Sequence, residues 1–166
     1  MYDKEDWAQI EEFPDYYVST FGEVMNYNTK KLLKPSRTSR GSLKVGLISG
    51  GVQYSRVVKL LVAKAFVFGE TDIFDTPINL DGDPTNNHVD NIVWRPRWFA
   101  VKYTRQFKEN YVNELRGPIK DLDRGTIYNT VRDASIDNGL LFKEVFNSCL
   151  TGEVVAPTWQ AFSWIH

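Results

Sequence analysis

The chain has 166 residues, 42% hydrophobic and 14% aromatic, which suits one folded domain or two small ones. No apolar run is long enough to span a membrane and no basic-then-apolar secretion signal opens the chain, so a cytoplasmic setting is expected. One cysteine, Cys149, excludes an internal disulfide, and with only His88 and His166 beside it excludes a Cys/His zinc site.

The net charge of −1 hides a segregated pattern. Residues 1–26 hold seven acids and one lysine. Residues 27–69 hold nine cations and no acid: Lys30, Lys31, Lys34, Arg37, Arg40, Lys44, Arg56, Lys59 and Lys64. Residues 70–94 hold six acids and no cation, and residues 95–108 hold five cations, among them Arg95, Arg97, Lys102 and Arg105, with no acid. Two acid-free basic blocks are the footprint of phosphate neutralisation, and ordinary solvated loop charge is the alternative.

In chain order, alternation over Tyr17–Ser19, Glu23–Asn26 and Leu43–Leu47 predicts short strands, with turns at Gly22 and Gly50-Gly51. Ser55–Phe66 is expected to be a helix, because Val58, Leu61, Val62, Ala65 and Phe66 share one face. That spacing places Lys59 and Lys64 off the buried stripe. Pro77–Leu80 reads as a strand, Asp81-Gly82-Asp83-Pro84 as a turn, and Trp94 as core. Asn86 and Asn87 suit local backbone capping. Residues 97–108 interleave cations and aromatics, which suits a groove-following connector or a helix burying Trp98, Val101, Phe107, Tyr111 and Leu115. Beyond Gly117, a hairpin is expected to turn at Asp123-Arg124-Gly125. A short helix capped by Thr130 ends at Asn138-Gly139, and a second helix carrying Leu141, Phe142, Val145, Phe146 and Cys149 stops at Thr151-Gly152. Val154-Val155 and Trp159–Trp164 are expected as strands, and Cys149 as buried packing.

The order Trp7-x-x-Ile10, Tyr16-Tyr17-Val18-Ser19, Gly22-x-Val24, Leu33-Lys34-Pro35 is similar to the small module preceding the nuclease core in phage HNH homing endonucleases. Residues 78–94, Ile-Asn-Leu-Asp-Gly-Asp-Pro-Thr-Asn-Asn-His-Val-Asp-Asn-Ile-Val-Trp, resemble the core of that phage and intron-encoded family. The resemblance implies an α+β fold: a small N-terminal β module (1–54), a ββα-metal HNH-like core (55–96), a basic/aromatic connector (97–116) and a C-terminal helix-turn-helix-like unit (117–166). In that family a strand delivers an acid or amide ligand beside a histidine base, and a helix returns a second ligand to a divalent ion. Here Ile78 stands where the ligand belongs and Asn79 where the base belongs; only Asn91 survives. A hydrocarbon cannot bind a hard cation and an amide is no base near neutral pH. Lys59 likewise replaces a second family histidine. Asp81 and Asp83 read as a turn pair in preference to ligands, and His88 as a surface or phosphate-contacting residue in preference to a relocated base.

The leading expectation is a DNA-binding relative of these enzymes that has lost cleavage, gripping double-stranded DNA through both basic blocks and needing no cofactor. An active endonuclease using Mg2+ or Mn2+ in a rearranged site is one alternative. A protein-binding inhibitor of a host enzyme is another, favoured by the acidic N-terminus together with the acidic C-terminal unit, eight acids against five cations from residue 109 onward.

Overall fold

A computed structural model describes residues 4–108 and 117–165. Tyr111, Leu115 and His166 lie outside the described residues. The chain divides into two compact units, one of residues 1–79 and 83–94, the other of residues 80–82 and 95–166. Among the described residues no helix is long and apolar enough to cross a membrane.

The first unit opens with four antiparallel strands in chain order, β1 (Trp7–Ile10), β2 (Phe13–Ser19), β3 (Val24–Asn26) and β4 (Lys31–Leu32). A second sheet follows from β5 (Ser36–Arg37), β6 (Leu43–Ser49) and β7 (Val52–Val57). The β6–β7 turn has Gly50 and Gly51 at φ 57° and 77°, as a two-residue hairpin with both central residues left-handed requires. Helix α1 (Val58–Phe66) comes next, then β8 (Thr76–Asn79), a one-turn 3-10 helix (Val89–Asn91) and β9 (Ile92–Arg95), which pairs with β8. Val18 and Val24 from the first sheet, Leu47 from β6, Val58 and Val62 from α1, and Val89, Ile92 and Trp94 from the hairpin share one core. Residues on both sides of position 54 therefore fold around the same apolar centre. The Trp94 indole is buried there and donates to the Val67 carbonyl at 2.9 Å.

The helix begins later than its apolar stripe predicts. Ser55, Arg56 and Val57 complete β7, paired with Gly46, Val45 and Lys44, so sheet pairing outcompetes helix periodicity over those three residues. With the helix starting at Val58, Ala63 is buried and Ala65 is exposed, the reverse of what the spacing predicts for Ala65.

The second unit contains α2 (Arg97–Gln106), the hairpin β10 (Ile119–Asp121) and β11 (Ile127–Tyr128), helices α3 (Val131–Asn138) and α4 (Phe142–Thr151), and β12 (Phe162–Trp164), which joins the other edge of β10. Both helix boundaries agree with the expected caps. The Thr130 hydroxyl accepts from the Asp133 N–H at 3.0 Å, and Gly139 and Gly152 close α3 and α4 in the left-handed conformation. Two expectations fail. Residues 156–159 form a turn, with Trp159 at φ 61° and its N–H donated to the Val155 carbonyl; Val155 and Gln160 meet only in an isolated antiparallel bridge, and the last strand starts at Phe162. Helix α2 buries Phe99, Tyr103 and Gln106, and leaves Trp98 and Val101 more than half exposed. Aromatics at 98, 99, 103 and 107 give two competing stripes. The buried one wins where Tyr103 also finds an acceptor, its hydroxyl donating to the Leu80 carbonyl at 2.6 Å.

Candidate functional site

The segment that should hold the hydrolytic centre is the β8–β9 hairpin. Ile78 is 2% exposed, a packed hydrocarbon. Asn79 is also buried, and its Nδ2 donates to the Asn86 carbonyl at 2.7 Å. Asn91 does not sit on a returning α-helix. It ends the 3-10 turn, immediately before β9, and its Nδ2 donates to the same Asn86 carbonyl at 2.9 Å. Two amides thus converge on one oxygen and brace the intervening loop from both sides.

The rest of that loop is structural chemistry. Asp83 accepts from the Thr85 N–H at 2.8 Å and hydroxyl at 2.7 Å, and these bonds hold its carboxyl below the usual range. Gly82, at φ 78°, admits the Phe107 ring where a Cβ would collide with it. His88 uses Nδ1 to accept from the Asp90 N–H at 3.2 Å, capping the 3-10 turn, and its ring stacks on Phe21 with centroids 5.0 Å apart. The imidazole thus serves as a cap, and its Nδ1 also lies 3.9 Å from the Asp90 carboxylate.

A divalent ion of the kind the sequence resemblance implies does not fit this donor set. Ile78 supplies no donor atom, and Asn79 and Asn91 present amides whose N–H groups are committed to Asn86. Two neutral oxygens hold a hard cation weakly. Among the described residues no group of three or more His, Cys, Asp or Glu side chains could hold a metal.

The basic residues fall into three environments. Lys30, Lys31, Lys34, Arg37 and Arg40 are exposed around β4 and β5, and Lys30 lies 3.3 Å from the centroid of the Tyr27 ring, which itself stacks on Tyr17. Arg97, Lys102 and Arg105 are exposed on α2. The others meet acids or are covered. Arg56 meets Glu12 at 3.0 Å and lies over Phe13; Lys64 reaches the same carboxylate at 3.7 Å. The hydrogen bond from Arg56 holds Glu12 below its ordinary pKa. Lys44 is half-buried, and burial lowers the Lys59 ammonium, which does not project freely as the helical spacing predicts. Arg95 is buried: its guanidinium donates to the carbonyls of Gly139, at 3.1 Å, and Asn138, where α3 ends. It is not on the surface that the basic block suggested.

Sequence reasoning missed the joint between the N-terminal module and the hairpin. The Val89 N–H donates to the Thr20 carbonyl at 2.8 Å. Gly22, at φ 83°, lies so near Asn87 that an added Cβ would stand 2.8 Å from the Asn87 Cβ. Asn87 does not cap the backbone as its position suggested. It is buried, and among the described residues neither polar atom of its amide finds a hydrogen-bond partner. The clue available in sequence was Gly22, though nothing there named its neighbour.

Comparison with known proteins agrees with this architecture. The NUMOD4 motif family matches residues 5–48. An uncharacterised HNH endonuclease of Acanthamoeba polyphaga mimivirus is 28% identical over 92 residues, 55% of this chain and 23% of that protein. The chain thus spans under a quarter of the curated relative it matches. Among solved structures, that of the HNH homing endonuclease I-HmuI, describing DNA binding and cleavage, aligns with 96% of this chain and 98% of its own, at 24% identity and a TM-score of 0.57, a likeness of fold. The motif thus covers the N-terminal module, the relative bears the name of an HNH endonuclease, and the solved HNH homing endonuclease shares the α+β fold of this chain.

Proposed function

We propose that the chain binds double-stranded DNA through its exposed lysines and arginines, and that its HNH-type hairpin does not hydrolyse phosphodiesters. The carrying observation is the brace at Asn86: the side chain at the base position donates to a carbonyl inside the protein, beside a buried isoleucine that has no donor atom. Neither residue can take a proton from water near pH 7. Binding draws support from five exposed cations around β4 and β5 and three on α2. These contact phosphate without reading sequence, so the logarithm of the binding constant falls linearly with log salt.

Supercoiled-plasmid nicking in Mg2+ or Mn2+, run beside a gel shift with the same DNA, tests both halves. The expected result is a salt-sensitive shift and no nicking in either metal. Metal-dependent nicking abolished by Asn91→Ala would establish a rearranged active centre and overturn the reading. A shift indifferent to salt would remove the phosphate contacts from it.

A further inference from the structure

Helix α2 has an outer face that its own packing does not explain. Residues 97, 98, 101, 102 and 105 fall within one stripe at 100° per residue, opposite the buried Phe99, Tyr103 and Gln106. The stripe carries Arg97, Lys102 and Arg105 around Trp98 and Val101, which are 54% and 58% exposed. No acid lies on α2. Glu144 of α4 is near enough for Lys102 to lower its pKa, against the larger upward effect of burial. Lys102 also lies 5.4 Å from the centroid of the Trp98 ring, so the cation and the indole present a single surface.

We propose that this face is a duplex-DNA wedge: Trp98 inserts at one base step and bends the helix axis, while Arg97, Lys102 and Arg105 hold the flanking phosphates. The inference rests on the DNA-binding reading above. Phosphate neutralisation alone needs only cations, whereas here an indole and a valine stand contiguous among three of them. Proteins that kink DNA place an apolar side chain between base pairs inside a basic frame, offsetting the unstacking by the wrapped contacts. Binders of single strands use a row of aromatics for successive bases. The outer face of α2 offers one ring with a branched aliphatic one turn on, which matches a single step and not a row.

Ligase-catalysed circle formation from a mixed-sequence duplex shorter than one persistence length (about 150 bp) reads bending, and a gel shift with that duplex reads binding. The wild-type protein is expected to raise the circle yield above the protein-free level. Trp98→Ala should return the yield to the protein-free level at saturating protein, with affinity within about tenfold of wild type. Trp98→Phe should keep most of the bending, and Lys102→Gln/Arg105→Gln should weaken binding and its salt dependence while bending at saturation persists. Circular dichroism confirms that each variant is folded, as expected for exposed positions. Equal circle yields from wild type and Trp98→Ala, both saturating, would overturn the wedge and leave DNA binding standing. Absence of any gel shift by the wild type would overturn the DNA-binding reading and the wedge with it.

Discussion

Replacing Arg95 separates a structural from a DNA-contacting role for the most deeply placed cation of the second basic block. Its guanidinium donates to the Gly139 and Asn138 carbonyls, both on buried residues at the C-terminal end of α3, where the helix dipole is negative. Burial, reinforced by Arg124, holds its pKa down at about 10, so it remains charged at pH 7. Arg95→Leu keeps apolar bulk but strips both acceptors of their donor, at about 1–3 kcal/mol for each carbonyl left unsatisfied. Relief of the buried charge returns part of that. The expected net loss is about 2–4 kcal/mol. Arg95→Lys keeps the charge without the fork and should lose about half as much. Urea unfolding followed by circular dichroism and tryptophan fluorescence measures this, and a gel shift under native conditions measures DNA affinity. A destabilisation below about 1 kcal/mol accompanied by weakened binding would return Arg95 to the DNA-facing set and refute the assignment.

Gly22→Ala should cost more than about 1 kcal/mol, because φ 83° is unfavourable for alanine and the new methyl group meets Asn87; a thermal melt detects it. Asn79→Ala and Asn91→Ala should be more costly together than the sum of the two, since either amide alone still donates to the Asn86 carbonyl; a double-mutant cycle in urea reads the coupling. The Cys149 thiol is pushed up to about 11 by burial, from 9.0. At pH 8 the folded protein should therefore label with a thiol reagent about a hundredfold more slowly than the urea-unfolded chain, the gap closing as pH rises through that value. Ile78→Asp combined with Asn79→His should destabilise the hairpin, by placing a carboxylate where exposure is 2%, and is the variant in which any metal-dependent nicking should first appear.

What the sequence disclosed follows what is local. Caps at Thr130, Gly139 and Gly152 depend on neighbouring residues, and each was placed correctly. The strand near Pro77 was likewise legible, but the helix expected to carry Asn91 is a single 3-10 turn followed by β9. Helix α1 started late because Ser55–Val57 answer to cross-strand partners about ten residues away, which a periodic stripe does not record. The face of α2 was misjudged because Trp98 and Phe99 offer equal hydrophobicity on adjacent faces, and an acceptor on Leu80 decides between them. Charge blocks identified basic segments but not basic surfaces: Arg95 turned inward to a helix end, Lys59 is largely covered, and Arg56 and Lys64 share Glu12. That Ile78 and Asn79 offer neither a base nor a charged ligand was visible in the string. That Asn79 would take over the bracing of its own loop was not.

The core shared by the N-terminal sheets, α1 and the hairpin separates folding from chemistry. Excising residues 76–94 would strip Val89, Ile92 and Trp94 from the packing against Val58 and Val62 and release the Val67 carbonyl from its indole partner. The hairpin therefore cannot be removed without costing the N-terminal half part of its own core, whatever chemistry it does or does not perform. The frame from Asp81 to Trp94 is thus a structural obligation, and its presence reports stability while remaining silent about turnover.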